Sequence, residues 1–257
     1  MALVGVLGNL SRDRLARGSR AGGAPFHCAR ALAALDADAV VLTKAAEADA
    51  DLVEELTALG VPIVWRPSSA TSAFGIEYDG DDRRMVVEAL GEPWTADEVR
   101  GWVAEALGGA GWVHVGPLAR SDFAAETLAE LARASRVSYD GQGLVRPART
   151  GALVLDSAYD AGLLRSLAIL KLSEEEAAVL GTVELGVPEV LVTLGARGAV
   201  VHADGRTEEV GARALDGVDP TGAGDMFSAA YVVARARGEA PVAAAATACA
   251  LVAEQLA

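Results

Sequence analysis

The stretch DPTGAGDMF (Asp219–Phe227) stands directly ahead of a run in which Phe227, Ala230, Tyr231 and Ala234 recur at helical spacing. A helix start needs one capping residue, and this stretch has more. The first turn of a helix presents unpaired N–H groups and the positive end of its dipole. Gly222 and Gly224, flanking Ala223, lack the Cβ atoms that would hold an anion away from those donors. The result is a phosphate cradle, and Asp225 is then out of place as a ligand, because a carboxylate repels phosphate. Read as a base, it fits: it accepts a hydroxyl proton while the N–H groups of Gly222, Ala223 and Gly224 stabilise charge on a phosphoryl group in transfer. A plainer reading is also open, with Asp225 as a helix-dipole partner and the glycines as a turn. No GK[ST] follows, and the strand–GxGxxG–helix spacing of dinucleotide sites is absent.

Five other stretches carry chemistry. VLVTLGARGAVV (Val190–Val201) reads as strand, glycine loop, strand. Ligands of parallel sheets sit beyond the carboxyl ends of strands, and there Gly195 and Gly198 let a nucleotide lie against backbone, or simply make a tight turn. GSRAGGAPFHCARALAAL (Gly18–Leu35) places Gly22 and Gly23 before a helix that carries His27. GNLSRD (Gly8–Asp13), read as a loop after the first strand, offers Asp13, whose carboxylate can accept two hydroxyl hydrogen bonds and so suits a polyol. In LKLSEEEAAVL (Leu170–Leu180), Ser173 and Glu176 have capping-box spacing, and the glutamate also suits magnesium with retained waters. SYDGQGLVR (Ser138–Arg146) puts Arg146 just past a strand, where it can meet a phosphate or an anionic substrate.

Taken in this order, the stretches resemble the ribokinase-like, or PfkB, carbohydrate kinases over nearly the whole chain. DPTGAGDMF looks like that family's C-terminal signature. The resemblance implies that Asp225 is the catalytic base, with Gly222, Ala223 and Gly224 as the anion hole. It implies ATP along the loop that begins at Thr193 and contains Gly195 and Gly198. It assigns Asp13, Gly22, Gly23 and His27 to the hydroxyls of the acceptor, with His27 standing where the family often has asparagine. Glu176 would help hold Mg2+, usually through water, and Ser173 replaces an asparagine. SYDGQGLVR is similar to a version of this segment with an aspartate, a glutamine and a downstream arginine, here Arg146. A monovalent cation near Asp219 is a further implication. The expected reaction is ATP-dependent phosphorylation of a hydroxyl on a small sugar, sugar acid or polyol, inositol-like polyols included. The alternatives are a nucleoside kinase, with Phe26 and Phe74 as walls for a base, and a catalytically silent metabolite-binding protein.

The elements that must position these residues alternate. Apolar strands are expected at Ala2–Leu7, Ala39–Thr43, Val61–Trp65, Trp112–Val115, Val137–Asp140, Leu167–Leu170 and Val190–Thr193. Helices are expected at Gly23–Leu35, Asp49–Leu59, Asp122–Arg133, Glu174–Leu180, Gly224–Arg237 and Pro241–Leu256. Continuous apolar strands alternating with helices imply an α/β fold: three layers, with a mainly parallel central sheet covered by helices on both faces. Ser72–Tyr78 and Arg84–Ala89, joined by DGDD, read as a β-hairpin, a small lid over about residues 69–90 of one domain spanning 1–257.

A formal net charge of −14 disfavours nucleic acid and anionic membrane as partners and leaves a small-molecule substrate. Hydrophobic residues at 52% supply a sizeable core. Cys28 and Cys249 fall in alanine-rich helical patterns, as small buried hydrophobes. The N-terminal stretch lacks the basic start of a signal peptide, and no apolar run reaches membrane-spanning length, so a cytoplasmic protein is expected. Exposed lid edges invite a homodimer by strand addition.

Overall fold

The structure is a computed structural model describing residues 3–16, 18–79, 82–215 and 217–257. The main sheet is built from runs of Val, Leu, Ile and Ala: β1 (Val4–Asn9), β4 (Ala39–Ala46), β5 (Ile63–Ser68), β8 (Trp112–Val115), β9 (Arg136–Asp140), β11 (Leu167–Ser173) and β12 (Glu189–Thr193). These seven pair in parallel. The antiparallel ribbon β13 (Ala199–Ala203) and β14 (Arg206–Val210) completes one edge, giving the order β14-β13-β12-β11-β9-β8-β1-β4-β5. The central strands are buried on both faces, and successive side chains enter opposite cores. Val41, Ile169 and Leu191 pack with Met226 and Tyr231 of the helix Ala223–Ala236. Val40, Leu42, Leu170 and Leu172 pack with Trp94, Phe123 and Leu128 on the other side. This is the expected three-layer α/β arrangement, and the parallel direction brings the carboxyl ends of β1, β9, β11 and β12 to one edge.

The remaining strands form a second sheet, in the order β10-β7-β6-β2-β3: β2 (Ser11–Leu15), β3 (Gly18–Gly22), β6 (Ser72–Asp79), β7 (Asp82–Ala89) and β10 (Gly151–Ala152). Strands β6 and β7 are the expected antiparallel hairpin. Gly80 and Asp81, in the expected DGDD turn, lie outside the described residues, as does Ala2, where the first strand was expected to begin. The sheet is larger than a hairpin, however. GNLSRD continues into a strand and not a loop, with β2 parallel to β6 and antiparallel to β3. Its sequence, SRDRL, has no apolar alternation. Arg12 is instead held by Asp49 at 2.8 Å and Asp51 at 2.7 Å. Phe74, Ile76 and Val87 pack this sheet against Leu118 on the main body.

Strand and helix ends also shift. The strand expected from Val61 begins at Ile63, and the helix expected from Asp122 begins at Ala125, because Asp122 is spent accepting the N–H groups of Leu118 and Ala119 at 2.8 and 3.4 Å.

Candidate active site

The DPTGAGD segment forms the turn into the Ala223–Ala236 helix. Asp219 Oδ1 accepts the N–H and the hydroxyl of Thr221 at 3.0 and 2.6 Å, and its Oδ2 meets Arg20 of β3 at 3.4 Å. Gly222 has φ 80°, a left-handed conformation that opens the helix. A Cβ there would also overlap the His27 ring, so two independent constraints require glycine.

The N–H groups divide unequally. Ala223 donates to the Pro220 carbonyl at 3.0 Å and is spent in the turn, which corrects the expectation that it faces an anion. Among the described residues the N–H groups of Gly222, Gly224 and Asp225 meet no acceptor. Asp225 does not cap the helix: its Oδ1 is covered and has no hydrogen-bond partner, while the residue as a whole stays partly open to the cleft.

Two cavities meet at this helix start, and Pro220 and Gly224 line both. The first, a polar cleft of about 240 Å³, holds Asp13, Gly23, His27, Arg146, Glu176, Gly222 and Asp225 of the expected residues. It is roofed by Phe74 and Met85 of the second sheet and by Leu118. The second, a mostly apolar pocket of about 300 Å³, holds Thr193, Gly195, Gly198 and Ala223, with Phe227, Cys249, Val252 and Leu256 as walls. Gly22 lines neither cavity. Its missing Cβ makes room for the Asp13 carboxylate, which accepts the Ser11 hydroxyl at 2.7 Å. Gly198, at φ 105°, lies so close to the Val210 carbonyl that a side chain would collide with it, so packing against β14 alone accounts for this glycine. Of the two phenylalanines considered as walls for a base, Phe74 lines the polar cleft, and Phe26 meets the His27 ring edge-on at 5.4 Å between centroids.

The floor of the polar cleft is a charge cluster that sequence reasoning missed. Lys171 of β11 is buried and donates to Asp140 of β9 at 3.1 Å, and the two are register partners in the parallel ladder. Burial disfavours the Lys171 ammonium, but Asp140, then Glu176 and Asp225, hold it charged. Burial would raise Asp140, yet the Lys171 charge and the Gln142 N–H outweigh it and keep that carboxyl below the usual range. Burial pushes Asp225 up to about 7, aided by the negative charge of Asp140 and opposed by Lys171 and Arg146. A carboxylate poised near neutrality, with a covered and unpartnered oxygen, is equipped to take and release a proton.

Ser173 and Glu176 form the expected capping box: Ser173 Oγ accepts the Glu176 N–H at 3.1 Å and Glu176 Oε2 accepts the Ser173 N–H at 2.7 Å. Burial raises the Glu176 carboxyl. Glu175 and Glu176 both line the cleft. Among the described residues no group of three or more His, Cys, Asp or Glu could hold a metal ion by itself. The carboxylate oxygens of Glu175 and Glu176 are of the kind that magnesium takes alongside phosphate and water.

This fold, with a helix start between a polar and an apolar cavity, is ribokinase-like. The family model for pfkB family carbohydrate kinases matches residues 15–256, and the chain belongs to that family. Among solved structures, the chain is similar to a pyrophosphate-dependent kinase in the ribokinase family complexed with a pyrophosphate analog and myo-inositol. The identity is 24%, covering 98% of this chain and 94% of that one, with a TM-score of 0.83. Ribokinase from Thermotoga maritima is 19% identical over 100% of this chain and 93% of that one, at a TM-score of 0.75. A fructokinase from Vibrio cholerae, in a form with bound fructose, ADP and calcium, is 19% identical over 96% and 90%, at 0.73. Among the described residues no helix is long and apolar enough to cross a membrane.

Proposed function

We propose that this chain transfers the terminal phosphoryl group of ATP to a hydroxyl of a small sugar, sugar acid or polyol. The observation that carries the reading is the meeting of the two cavities at Gly224, beside Asp225, whose Oδ1 is covered and without a hydrogen-bond partner. The apolar pocket has the size and lining for a nucleoside, and the polar cleft has those for a polyhydroxylated acceptor.

In this reading Asp13, His27 and Arg146 orient the acceptor, Gly22 gives room to the Asp13 carboxylate, Gly23 lines the cleft, and the second sheet closes over the acceptor and excludes water. Asp225 takes the hydroxyl proton as the oxygen attacks phosphorus. The N–H groups of Gly222 and Gly224 stabilise the phosphoryl charge. Glu176 would hold Mg2+ through water, and that ion, when bound, neutralises phosphate charge. Arg20 already faces Asp219, where a monovalent cation would otherwise sit. The protein works in the cytoplasm, without nucleic acid or membrane, and a second copy can pair at the edge of the small sheet.

Pyrophosphate is the runner-up donor and a cyclitol a favoured acceptor, because the similar kinase at a TM-score of 0.83 is pyrophosphate-dependent and carries myo-inositol. The test is a phosphate-transfer assay with magnesium, ATP or pyrophosphate, and a panel of sugars, sugar acids, inositols and nucleosides. Acceptor-dependent ADP release supports the reading. Turnover with pyrophosphate alone replaces the donor, and a nucleoside as best acceptor replaces the acceptor class. Silence across the panel, with ligands still bound, would make the chain a metabolite-binding protein.

A further inference from the structure

Lys171 occupies a position that an ammonium should avoid unless an anion joins it. It is in phase with Ile169 on β11, so it points towards the core under the Ala223–Ala236 helix. Its Nζ reaches the helix start and lies 2.8 Å from where a Cβ on Gly224 would stand. Its side chain is 5% exposed and lines the polar cleft. The helix start is itself positive, and among the described residues the Gly222 and Gly224 N–H groups meet no backbone acceptor. Burying an ammonium costs several kcal/mol unless its donors are satisfied. An ammonium has three donors, and among the described residues Asp140 is the one hydrogen-bond acceptor of Lys171. Glu176 Oε2 is engaged by the Ser173 N–H, and Asp225 Oδ1 accepts nothing. Lys171, Gly222, Gly224 and Asp225 thus all line one cleft.

We propose that Lys171 is a further catalytic residue: its ammonium completes the anion hole begun by Gly222 and Gly224, and Asp140 holds it there. The proposal rests on the phosphoryl-transfer reading above. In the step, a lone pair of the acceptor oxygen forms the new P–O bond. The bond from phosphorus to the bridging oxygen of the donor breaks, and its electron pair leaves with ADP. The hydroxyl proton goes to Asp225. Lys171 keeps its proton throughout and hydrogen-bonds a non-bridging oxygen of the group in transfer. A side chain at Gly224 would push this ammonium aside.

The test compares Asp140→Asn, Lys171→Met and the double variant Lys171→Met/Asp140→Asn, which removes both charges of the buried pair and serves if the single lysine variant fails to fold. Thermal melting selects the folded lysine variant. It is expected to lose about 10²–10³ in kcat and a similar factor in affinity for ADP with aluminium fluoride and acceptor. Its affinity for ADP alone should stay within about threefold, a split that a merely structural role would not produce. Asp140→Asn, as a positioning change, is expected to lose less than about tenfold. The proposal is overturned if the lysine variant keeps kcat within about tenfold, if the aluminium fluoride complex binds as in the wild type, or if Asp140→Asn loses as much as the double variant. If the wild type transfers no phosphoryl group at all, the proposed function fails by itself. Titration with inorganic phosphate then reads Lys171 separately: weakening by tenfold or more in the lysine variant supports it, and equal affinity overturns it.

Discussion

Asp225→Asn should make the protein both inactive and more stable. The substitution keeps shape and volume, and removes the charge and the proton acceptor. Its effect on rate follows from the base: a positioned general base contributes about 10²–10⁴, so kcat should fall by that factor while nucleotide affinity changes little. Its effect on stability follows from burial. A carboxylate whose pKa stands at about 7 instead of 3.8 opposes folding by up to about 4 kcal/mol when ionised. The folded value is raised, so the penalty builds as pH rises from about 4 to 7 and is then complete. The asparagine variant should therefore melt well above the wild type at pH 8. The gap should shrink to about 1–2 kcal/mol at pH 5. Denaturant melts at several pH values and steady-state kinetics on the same preparations measure both. Turnover within tenfold of wild type would refute the base. A variant less stable than wild type at pH 8 would refute the buried, unpartnered carboxylate.

Three other outcomes follow from the same geometry. Gly222→Ala forces a left-handed alanine at about 1–2 kcal/mol and overlaps His27, so melting temperature and kcat should fall together; unchanged kinetics would remove Gly222 from the anion hole. Ser173→Ala breaks the capping box, with an expected loss of about 1 kcal/mol and a higher magnesium requirement as Glu176 loses its anchor; a magnesium titration coinciding with wild type would separate Glu176 from the metal. Asp122 is pushed from 3.8 up to about 6, chiefly by burial, so its ionisation opposes folding increasingly between pH 4 and 6. Asp122→Asn should gain up to about 3 kcal/mol at pH 8 and nothing at pH 3; a pH-independent difference in chemical melts would contradict this.

The main sheet was legible because its strands are mostly apolar runs and its loops carry polar and glycine residues at their carboxyl ends. Asp225 stood out because a carboxylate beside a glycine cradle conflicts with phosphate unless it reacts, and the structure places it on the wall of the polar cleft. Strands β2 and β3 were not legible: SRDRL is held by pairing with β6 and by Arg12 with Asp49 and Asp51, contacts remote in sequence, and GSRAG is held in turn by pairing with SRDRL. The role of Ala223 was misread because spacing alone does not reveal that its N–H turns back to Pro220. Gly198 looked like a nucleotide contact and is accounted for by the carbonyl of Val210. Lys171 was passed over because the expected strand ended at Leu170, one residue short of it, whereas β11 runs on to Ser173. The available signal was a lysine inside the apolar run AILKLS, a pattern that demands a buried partner. Asp140, at the end of SYD, supplies it.

The central claim is that Asp225 and the adjoining helix start drive phosphoryl transfer to a hydroxyl. The most direct measurement is phosphorus NMR of the wild type and Asp225→Asn with ATP, magnesium and the best acceptor of the panel. The account predicts a phosphomonoester signal growing in step with ADP in the wild type and absent from the variant over the same period. A phosphomonoester formed equally by both proteins, or inorganic phosphate as the wild type's sole product, would contradict it.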